Sequence, residues 1–164
     1  MGLDLQEIIK RFKSGDDSAF EELYRETVRY IYSIVYAYLL SKEDTEDVIQ
    51  NTYLKIYTLR KRLDDKKSLL AYMKRIAINY AFKVIRKRQI LKLAEPLPND
   101  PDVKETIEEA LKNLEPKERL IITLFYMDDE SIKEISFLTN EREGTVKSQL
   151  ARARDKLREV ITNE

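Results

Sequence analysis

Residues that interrupt helices are rare in this chain and are concentrated in one place. Glycine and proline together account for 7 of the 164 residues, and three of the four prolines fall within one stretch, AEPLPNDP, at positions 96, 98 and 101. Folds rich in tight turns use far more of both residue types. The sequence therefore predicts an all-α protein whose helices fall into two groups joined by a proline-containing linker.

The proline cluster defines the expected domain organisation. Residues 1–93 and 105–164 are each long enough for a small helical domain, with residues 94–104 as the linker. Counted from Gln89 to Lys104, the connection spans at most about 58 Å when fully extended.

Apolar residues recur at helical spacing in both parts. In the first part the pattern predicts helices over residues 3–13, 19–40, 42 to about 60 and 68 to about 93, with a loop at 63–67 and Ser41 as a helix cap. In the second part it predicts helices over 103–114, from 116 onward, from a Ser131 cap to 138, and from 143 to about 161. A short helix, a tight turn at 139–142 and a longer basic helix form the order of a helix-turn-helix.

The chain contains no cysteine and no histidine. Disulfides, thiolate nucleophiles, imidazole catalysis and most zinc sites need one or the other. Any enzyme here would have to work with carboxylates, lysine, serine or tyrosine. We expect a protein without catalysis, cofactor or metal site of its own. No apolar run approaches the length of a membrane span, so we expect no membrane insertion and a cytoplasmic location.

Charges sum to zero but are unevenly distributed along the chain. Residues 83–92 carry five bases and no acid, residues 95–130 carry eleven acids against four bases, and residues 142–158 carry six bases against two acids. Two basic segments thus flank an acidic one. This distribution is compatible with a nucleic-acid partner in spite of the neutral total.

One basic segment is the last predicted helix. At 100° per residue, Val146, Leu150, Ala153 and Leu157 share the core face, and the opposite face is small, cationic and hydrogen-bonding. Such a face suits the major groove of DNA, with Arg for guanine and Gln for adenine. The candidate DNA-binding residues are Thr145, Lys147, Ser148, Gln149, Ala151, Arg152 and Arg154. A solvated charged helix remains the alternative.

A second stripe lies on the helix predicted from residue 68. Tyr72, Arg75, Asn79, Lys83 and Arg86 fall within about 80° of one another in projection. Aromatic rings stack on unpaired bases while cations follow the backbone, so this face suits separated strands of DNA. Alternatively, Tyr72 is a core residue and the cations are only solvated.

The acidic residues at 43–47 lie in the first turn of a predicted helix, where the helix dipole already favours negative charge. Carboxylate metal sites in helical bundles usually take ligands from several helices. A protein-docking surface is therefore favoured over a metal site here.

Four segments in order resemble the extracytoplasmic-function (ECF) class of bacterial RNA polymerase sigma factors. They are GDDSAFEELYRE, DTEDVIQNTYLKIY, AYMKRIAINYAFKVIRKR, and LKNLEPKERLIITLFYMDDESIKEI with GTVKSQLARARDKLR. The resemblance covers nearly the whole chain and implies a sigma domain 2-like bundle followed by a sigma domain 4-like helix-turn-helix.

The resemblance also implies partners and roles. The first domain would dock on the clamp helices of the largest polymerase subunit through Asp44, Asp47, Gln50, Asn51 and Lys55, and the second would meet the flap. The 72–86 stripe would hold the melted minus-ten element, with Asn79 reading a base and the loop at 63–68 receiving a flipped one. The last helix would read the minus-thirty-five element as duplex. The family commonly has an anti-sigma factor, so one is implied here.

Some positions depart from the family pattern. Lys83 stands where an aspartate is usual, and Gln149 stands where an arginine is common. In the turn before the last helix, Asn140 takes the usual glycine place, Glu141 the usual apolar place and Arg142 the usual Ser or Thr cap.

Two other kinds of protein remain as alternatives. One is a free-standing helix-turn-helix repressor whose first part dimerises or binds a ligand, and the other is a helical adaptor without a nucleic-acid role. For a sigma factor, we hypothesise that polymerase binding separates two domains that pack together in the free protein.

Overall fold

The protein is described by a computed structural model over residues 4–63, 68–91 and 107–162. Within these residues there are eight α-helices, one short 3₁₀ helix at Arg60–Arg62, and no strand. The α-helices are α1 (Leu5–Lys13), α2 (Asp17–Leu39), α3 (Lys42–Leu59), α4 (Leu69–Leu91), α5 (Ile107–Lys112), α6 (Pro116–Tyr126), α7 (Ile132–Thr139) and α8 (Glu143–Thr162). The predicted all-α class is confirmed.

The helices begin where short polar side chains can satisfy free backbone N–H groups. The Ser41 hydroxyl accepts from the Asp44 N–H at 3.2 Å, and the Ser131 hydroxyl accepts from the Glu134 N–H at 3.1 Å. The Glu134 carboxylate accepts in return from the Ser131 N–H, which completes a capping box. The caps predicted at Ser41 and Ser131 are confirmed.

Left-handed backbone occurs in four of the described helix connections, at Gly15, Leu40, Asp129 and Asn140. Gly15, between α1 and α2, has a φ of 103°, a value that side-chain-bearing residues rarely adopt. Asn140 ends α7 with a φ of 55° and donates its N–H to the Ser136 carbonyl. The asparagine therefore performs the C-capping role that glycine usually has, as its place in the sequence predicts.

The first four helices pack around a common core. α2 lies against α1, α3 and α4, and α3 also packs against α4. Phe12, Leu23, Ile31, Ile56 and Met73 are fully buried in this group. Between α2 and α3 the Thr27 hydroxyl donates to the Leu23 carbonyl, so the Tyr53 hydroxyl donates to Thr27 at 2.6 Å.

The last three helices form a second group, in which α6 and α7 pack against α8. Leu120, Leu124, Ile135, Val146 and Ala153 are buried there. The groups also touch each other, because α2 packs on α6 and α4 packs on α7. The buried side chains of both groups make one continuous core.

The predicted helix boundaries fit within a few residues wherever the chain is described. The predicted linker at 94–104 and the loop positions 64–67 lie outside the described residues. So do residues 103–106, at the predicted start of the fifth helix, and the first residue of the predicted first helix.

Candidate nucleic-acid interface

The orientation of α8 is set by its apolar face. Val146, Leu150 and Ala153 are buried, and Leu157 packs partly buried against the core. This is the face predicted from the helical projection, so the opposite side of α8 must point outward. The exposed predicted residues on α8 are Thr145, Lys147, Ser148, Ala151, Arg152 and Arg154.

Gln149 differs from the other residues predicted on α8. It is only half-exposed, and its Oε1 atom is buried without a hydrogen-bond partner. At 100° per residue it lies next to the buried Val146 and Ala153, which explains the partial burial. The structure therefore does not place Gln149 on the exposed face with Arg152.

The turn before α8 is held by polar contacts. The Ser136 hydroxyl donates to the Glu141 carbonyl oxygen, and Lys117 on α6 pairs with the Glu141 carboxylate. The Glu141 side chain is largely buried. Its Oε1 atom pairs with Lys117, and its Oε2 atom is buried without a hydrogen-bond partner. An acidic residue in this turn is thus accommodated by a cation from the neighbouring helix.

Two cations on α8 contact α6. The Arg154 guanidinium lies over the rings of Phe125 and Tyr126, with 5.6 and 5.4 Å between the guanidinium carbon and the ring centroids. The Lys156 ammonium donates to both carboxylate oxygens of the buried Glu118, at 2.9 and 3.2 Å. These contacts hold α8 in a fixed position against α6, and so help to set which of its side chains point outward.

The face of α4 predicted to hold single-stranded DNA is largely accessible. Tyr72, Asn79, Lys83 and Arg86 are exposed. The Lys83 ammonium lies 5.2 Å from the centroid of the Tyr80 ring. Four of the five predicted residues are thus brought together on an open helix face.

Arg75, the fifth member of that stripe, is partly covered by the second group of helices. Its guanidinium carbon lies 4.6 Å from the centroid of the Phe137 ring on α7. Contacts between α7 and α4 therefore occupy one end of the stripe.

Lys74, which the sequence did not single out, makes a second contact between α4 and the other group. Its ammonium donates to Glu130 in the α6–α7 connection and lies over the Tyr30 ring of α2. Burial alone would lower the pKa of Lys74, but hydrogen bonds to Glu130 and Tyr30 raise it above its ordinary value. The lysine is therefore charged and paired within the protein.

The α2 C-terminus is bound by two arginines. Arg119 on α6, 7% exposed, donates to the carbonyl oxygens of Ala37 at 3.0 Å and Tyr38 at 2.7 Å. Arg88 on α4 donates to the Leu39 carbonyl at 2.9 Å. Carbonyls at a helix end have no intrahelical partner and carry partial negative charge, so guanidinium groups bind there favourably.

Arg88 also pairs with the carboxylate of Asp44, one of the predicted polymerase-docking residues. Asp44 is consequently half-buried, while the other four predicted docking residues, Asp47, Gln50, Asn51 and Lys55, are exposed on α3. The structure thus assigns Asp44 an intramolecular contact that helical periodicity does not show.

An exposed leucine lies among the predicted docking residues. Leu54 is 63% exposed and, by helical projection, shares a face of α3 with Asp47, Gln50 and Asn51. Tyr57 and Tyr24 are exposed nearby on α3 and α2. At 100° per residue Leu54 lies on the side of α3 opposite the buried Ile49 and Ile56, so helical projection of the sequence identifies it as an exposed apolar residue.

The described residues contain no group of three or more acidic residues arranged to hold a metal ion. Of the helices in this part of the chain, none is both long enough and apolar enough to cross a membrane.

Two family models match the chain in the order of its helix groups. "Sigma-70 region 2" matches residues 23–90 and "Sigma-70, region 4" matches residues 104–157. The first match contains the α4 stripe, and the second contains α8 up to residue 157.

Curated relatives and a solved structure agree with these matches. The ECF RNA polymerase sigma factor SigW of Bacillus subtilis is 26% identical, over 98% of each chain. The RNA polymerase sigma-E factor of Streptomyces coelicolor is 31% identical, over 72% of each chain. The sigma factor RpoE of Bartonella quintana, solved in complex with the anti-sigma factor NepR, has a similar fold, with a TM-score of 0.71 and 19% identity over 87% of this chain and 96% of that one.

The fold and the two family matches are those of a promoter-recognition subunit of RNA polymerase. The chain belongs to the ECF class of RNA polymerase sigma factors. Proteins of this family are transcription initiation factors, not enzymes, and they bind RNA polymerase and promoter DNA. Membership decides against the free-standing repressor and the adaptor.

Proposed function

We propose that this sigma factor reads a promoter with two surfaces when it is bound to core RNA polymerase. The exposed residues of α8, centred on Arg152, read the minus-thirty-five element as duplex in the major groove. The α4 stripe of Tyr72, Arg75, Asn79, Lys83 and Arg86 holds the minus-ten element as a separated strand. The observation that carries the proposal is the presence of one outward cationic helix face in each sigma-70 region.

The two surfaces differ in chemistry, which supports different DNA forms. The exposed α8 residues offer small, hydrogen-bonding and cationic groups, which suit base edges and phosphates of duplex DNA. The α4 stripe combines Tyr72 with Asn79 and three cations, and an exposed ring can stack on an unpaired base.

Docking on polymerase is assigned to the exposed face of α3. Asp47, Gln50, Asn51 and Lys55 supply charged and polar groups, and Leu54 supplies an apolar centre. Partly apolar patches with a polar rim are typical of protein interfaces. Asp44 contributes indirectly, since its carboxylate pairs with Arg88.

We further propose that residues 1–93 and 105–164 act as two domains, joined by residues 94–104, and that polymerase separates them. In the closed arrangement α7 covers Arg75, and Arg119 attaches α6 to α2. Separation frees the whole α4 stripe for DNA. We propose an anti-sigma factor as the regulator, and the complex of the Bartonella quintana protein with NepR supports this. It would act by favouring the closed arrangement or another arrangement that does not bind polymerase.

The proposal is tested by selecting promoter sequences from a random duplex library with the full chain and core polymerase together. We expect two enriched elements, and we expect Arg152→Ala to relax only the upstream element and Asn79→Ala only the downstream one. Lys133→Ala, an exposed cation on α7 outside both faces, is the matched control. Enrichment of a single element, or loss of both elements in each variant, would contradict the assignment.

A further inference from the structure

The contact between α4 and the α6–α7 connection contains more acid than base. One ammonium, that of Lys74, faces two carboxylates of the connection, Glu130 and Asp128. Lys74 and Glu130 form the ion pair, with side chains 8% and 12% exposed. The Asp128 Oδ2 atom is buried and has no hydrogen-bond partner. The junction therefore holds two carboxylates for one ammonium, and one oxygen of the half-buried Asp128 is buried without a partner.

Three helices and the connection itself place titratable groups at this junction. α4 provides Lys74, α2 provides the hydroxyl of Tyr30, and the connection itself provides Glu130 and Asp129. α7 provides Glu134, which is linked by a hydrogen bond to Glu130. Lys74 is thus the one cation among the described groups that act on Asp128, and its hydrogen bond goes to Glu130.

We propose that Asp128 and Lys74 form a proton-strengthened latch that holds the second helix group closed on the first. Charge on a half-buried carboxylate is costly when one of its oxygens is buried without a partner, so the closed arrangement favours the protonated form of Asp128. When the connection leaves α4, Asp128 gains water and its charge is no longer costly. Protons therefore favour closure, and their loss favours opening. This inference rests on the proposed function, in which opening uncovers the promoter-binding stripe.

The size of the effect follows from linkage. Burial, with repulsion from Glu130 and Asp129, raises the pKa of Asp128 to about 6 in the closed arrangement although Lys74 opposes it. A solvated aspartate titrates near 3.9. Because closure raises this pKa, protonation of Asp128 stabilises the closed form relative to the open one. The stabilisation is complete below about pH 4 and is lost as the pH rises through about 6. From about pH 7 to about pH 5, the closed-to-open ratio should increase about tenfold.

The experiment is a fluorescence energy-transfer titration of the full chain. The sequence has no cysteine, so the substitutions Glu21→Cys and Lys112→Cys at two exposed positions give unique sites for a donor and an acceptor dye. We expect the ratio of closed to open molecules to rise about tenfold between pH 7 and pH 5. We expect Asp128→Asn to lose most of this dependence, with a remainder from Glu130, whose pKa is also raised by burial and by its hydrogen bond with Glu134. The variant should be nearly as closed at pH 7 as the parent is at pH 5.

Asp155→Asn is the matched control, because it removes an exposed carboxylate on α8 that is not among the groups acting on Asp128. It should keep the dependence of the parent. A ratio in the parent that does not change with pH, or a full response in Asp128→Asn, would overturn the latch. If Asp128→Asn does not fold, the Asp128 carboxyl carbon is titrated by NMR in the parent: a midpoint near 6 supports the latch and one near 4 overturns it.

The latch and the proposed function fail in different ways. A normal pH response without promoter-directed transcription by the holoenzyme would refute the function and leave the latch standing. Normal transcription with no pH response in energy transfer would refute only the latch.

Discussion

The guanidinium of Arg119 donates to the carbonyl oxygen of Tyr38 at 2.7 Å and so joins α6 to the last turn of α2. The residues are 81 positions apart in the chain. Arg119 also donates to the carbonyl oxygen of Leu114, just before α6. This bond holds the side chain in the orientation that reaches α2. One buried arginine thus connects the two regions that the proposed function requires to separate.

Replacing Arg119 with methionine should favour separation of the helix groups. The variant loses two hydrogen bonds from a charged donor to the α2 C-terminus, each worth about 1.5–3 kcal/mol. We expect the radius of gyration of the full chain, measured by small-angle scattering, to increase. Arg29→Met, which removes an exposed arginine on α2, is the control. A radius of gyration equal to that of the parent would show that Arg119 does not hold the closed arrangement.

Arg152→Ala should weaken binding of holoenzyme to the upstream promoter element by about 1–3 kcal/mol at one base pair. The side chain is exposed on the outward face of α8, with the buried Val146 on the other side. Fluorescence anisotropy with duplexes altered at single positions measures the loss. An affinity profile identical to that of the parent at every position would remove Arg152 from the reading surface.

Asn79→Ala should reduce base selectivity for single-stranded minus-ten oligonucleotides without abolishing binding. The cations Lys83 and Arg86 continue to contact the backbone, so the salt dependence of binding should be retained. Binding of holoenzyme to a set of oligonucleotides that differ at one base measures the selectivity. Asn113→Ala, at an exposed asparagine in the turn between α5 and α6, should leave the selectivity unchanged. Equal selectivity in Asn79→Ala and the parent would contradict the role of Asn79.

The buried tyrosines should make the fold sensitive to alkali. Burial raises the pKa of both Tyr38 and Tyr53 to about 12. Tyrosine in an unfolded chain ionises near 10. Because the folded pKa is raised, stability is full below about pH 10 and falls as the pH rises from 10 to 12.

Tyr53→Phe tests this directly. At neutral pH it should cost about 0.5–1.5 kcal/mol of unfolding free energy, since the hydrogen bond to Thr27 is lost. Above about pH 10 its stability should decline less steeply than that of the parent in urea titrations. Tyr126→Phe, at an exposed ring, serves as the control, and parallel declines for all three proteins would refute the account.

Local features were predictable from the sequence, and contacts between distant segments were not. The buried face of α8, the caps at Ser41 and Ser131 and the left-handed Asn140 each depend on residues within a few positions of one another. Periodicity and backbone preference act over that range, so the sequence is sufficient.

Several cations have partners that lie far away in the sequence and could not be predicted from it. Arg88 lies in the basic segment that suggested nucleic acid, yet it binds Leu39 and Asp44, more than 40 positions away. Lys74 pairs with Glu130 from another helix group. A helical projection separates apolar from polar faces, but it does not distinguish a cation facing solvent from one facing another helix.

Run-off transcription tests the central claim most directly. The full chain is added to core RNA polymerase and templates that carry the selected promoter sequences, and each component is also tested alone. We predict transcripts of defined length only when chain, core and promoter are all present, and a marked loss when either Arg152 or Asn79 is replaced by alanine. Tight sequence-specific binding by the chain alone, with no transcript on addition of core, would contradict the account.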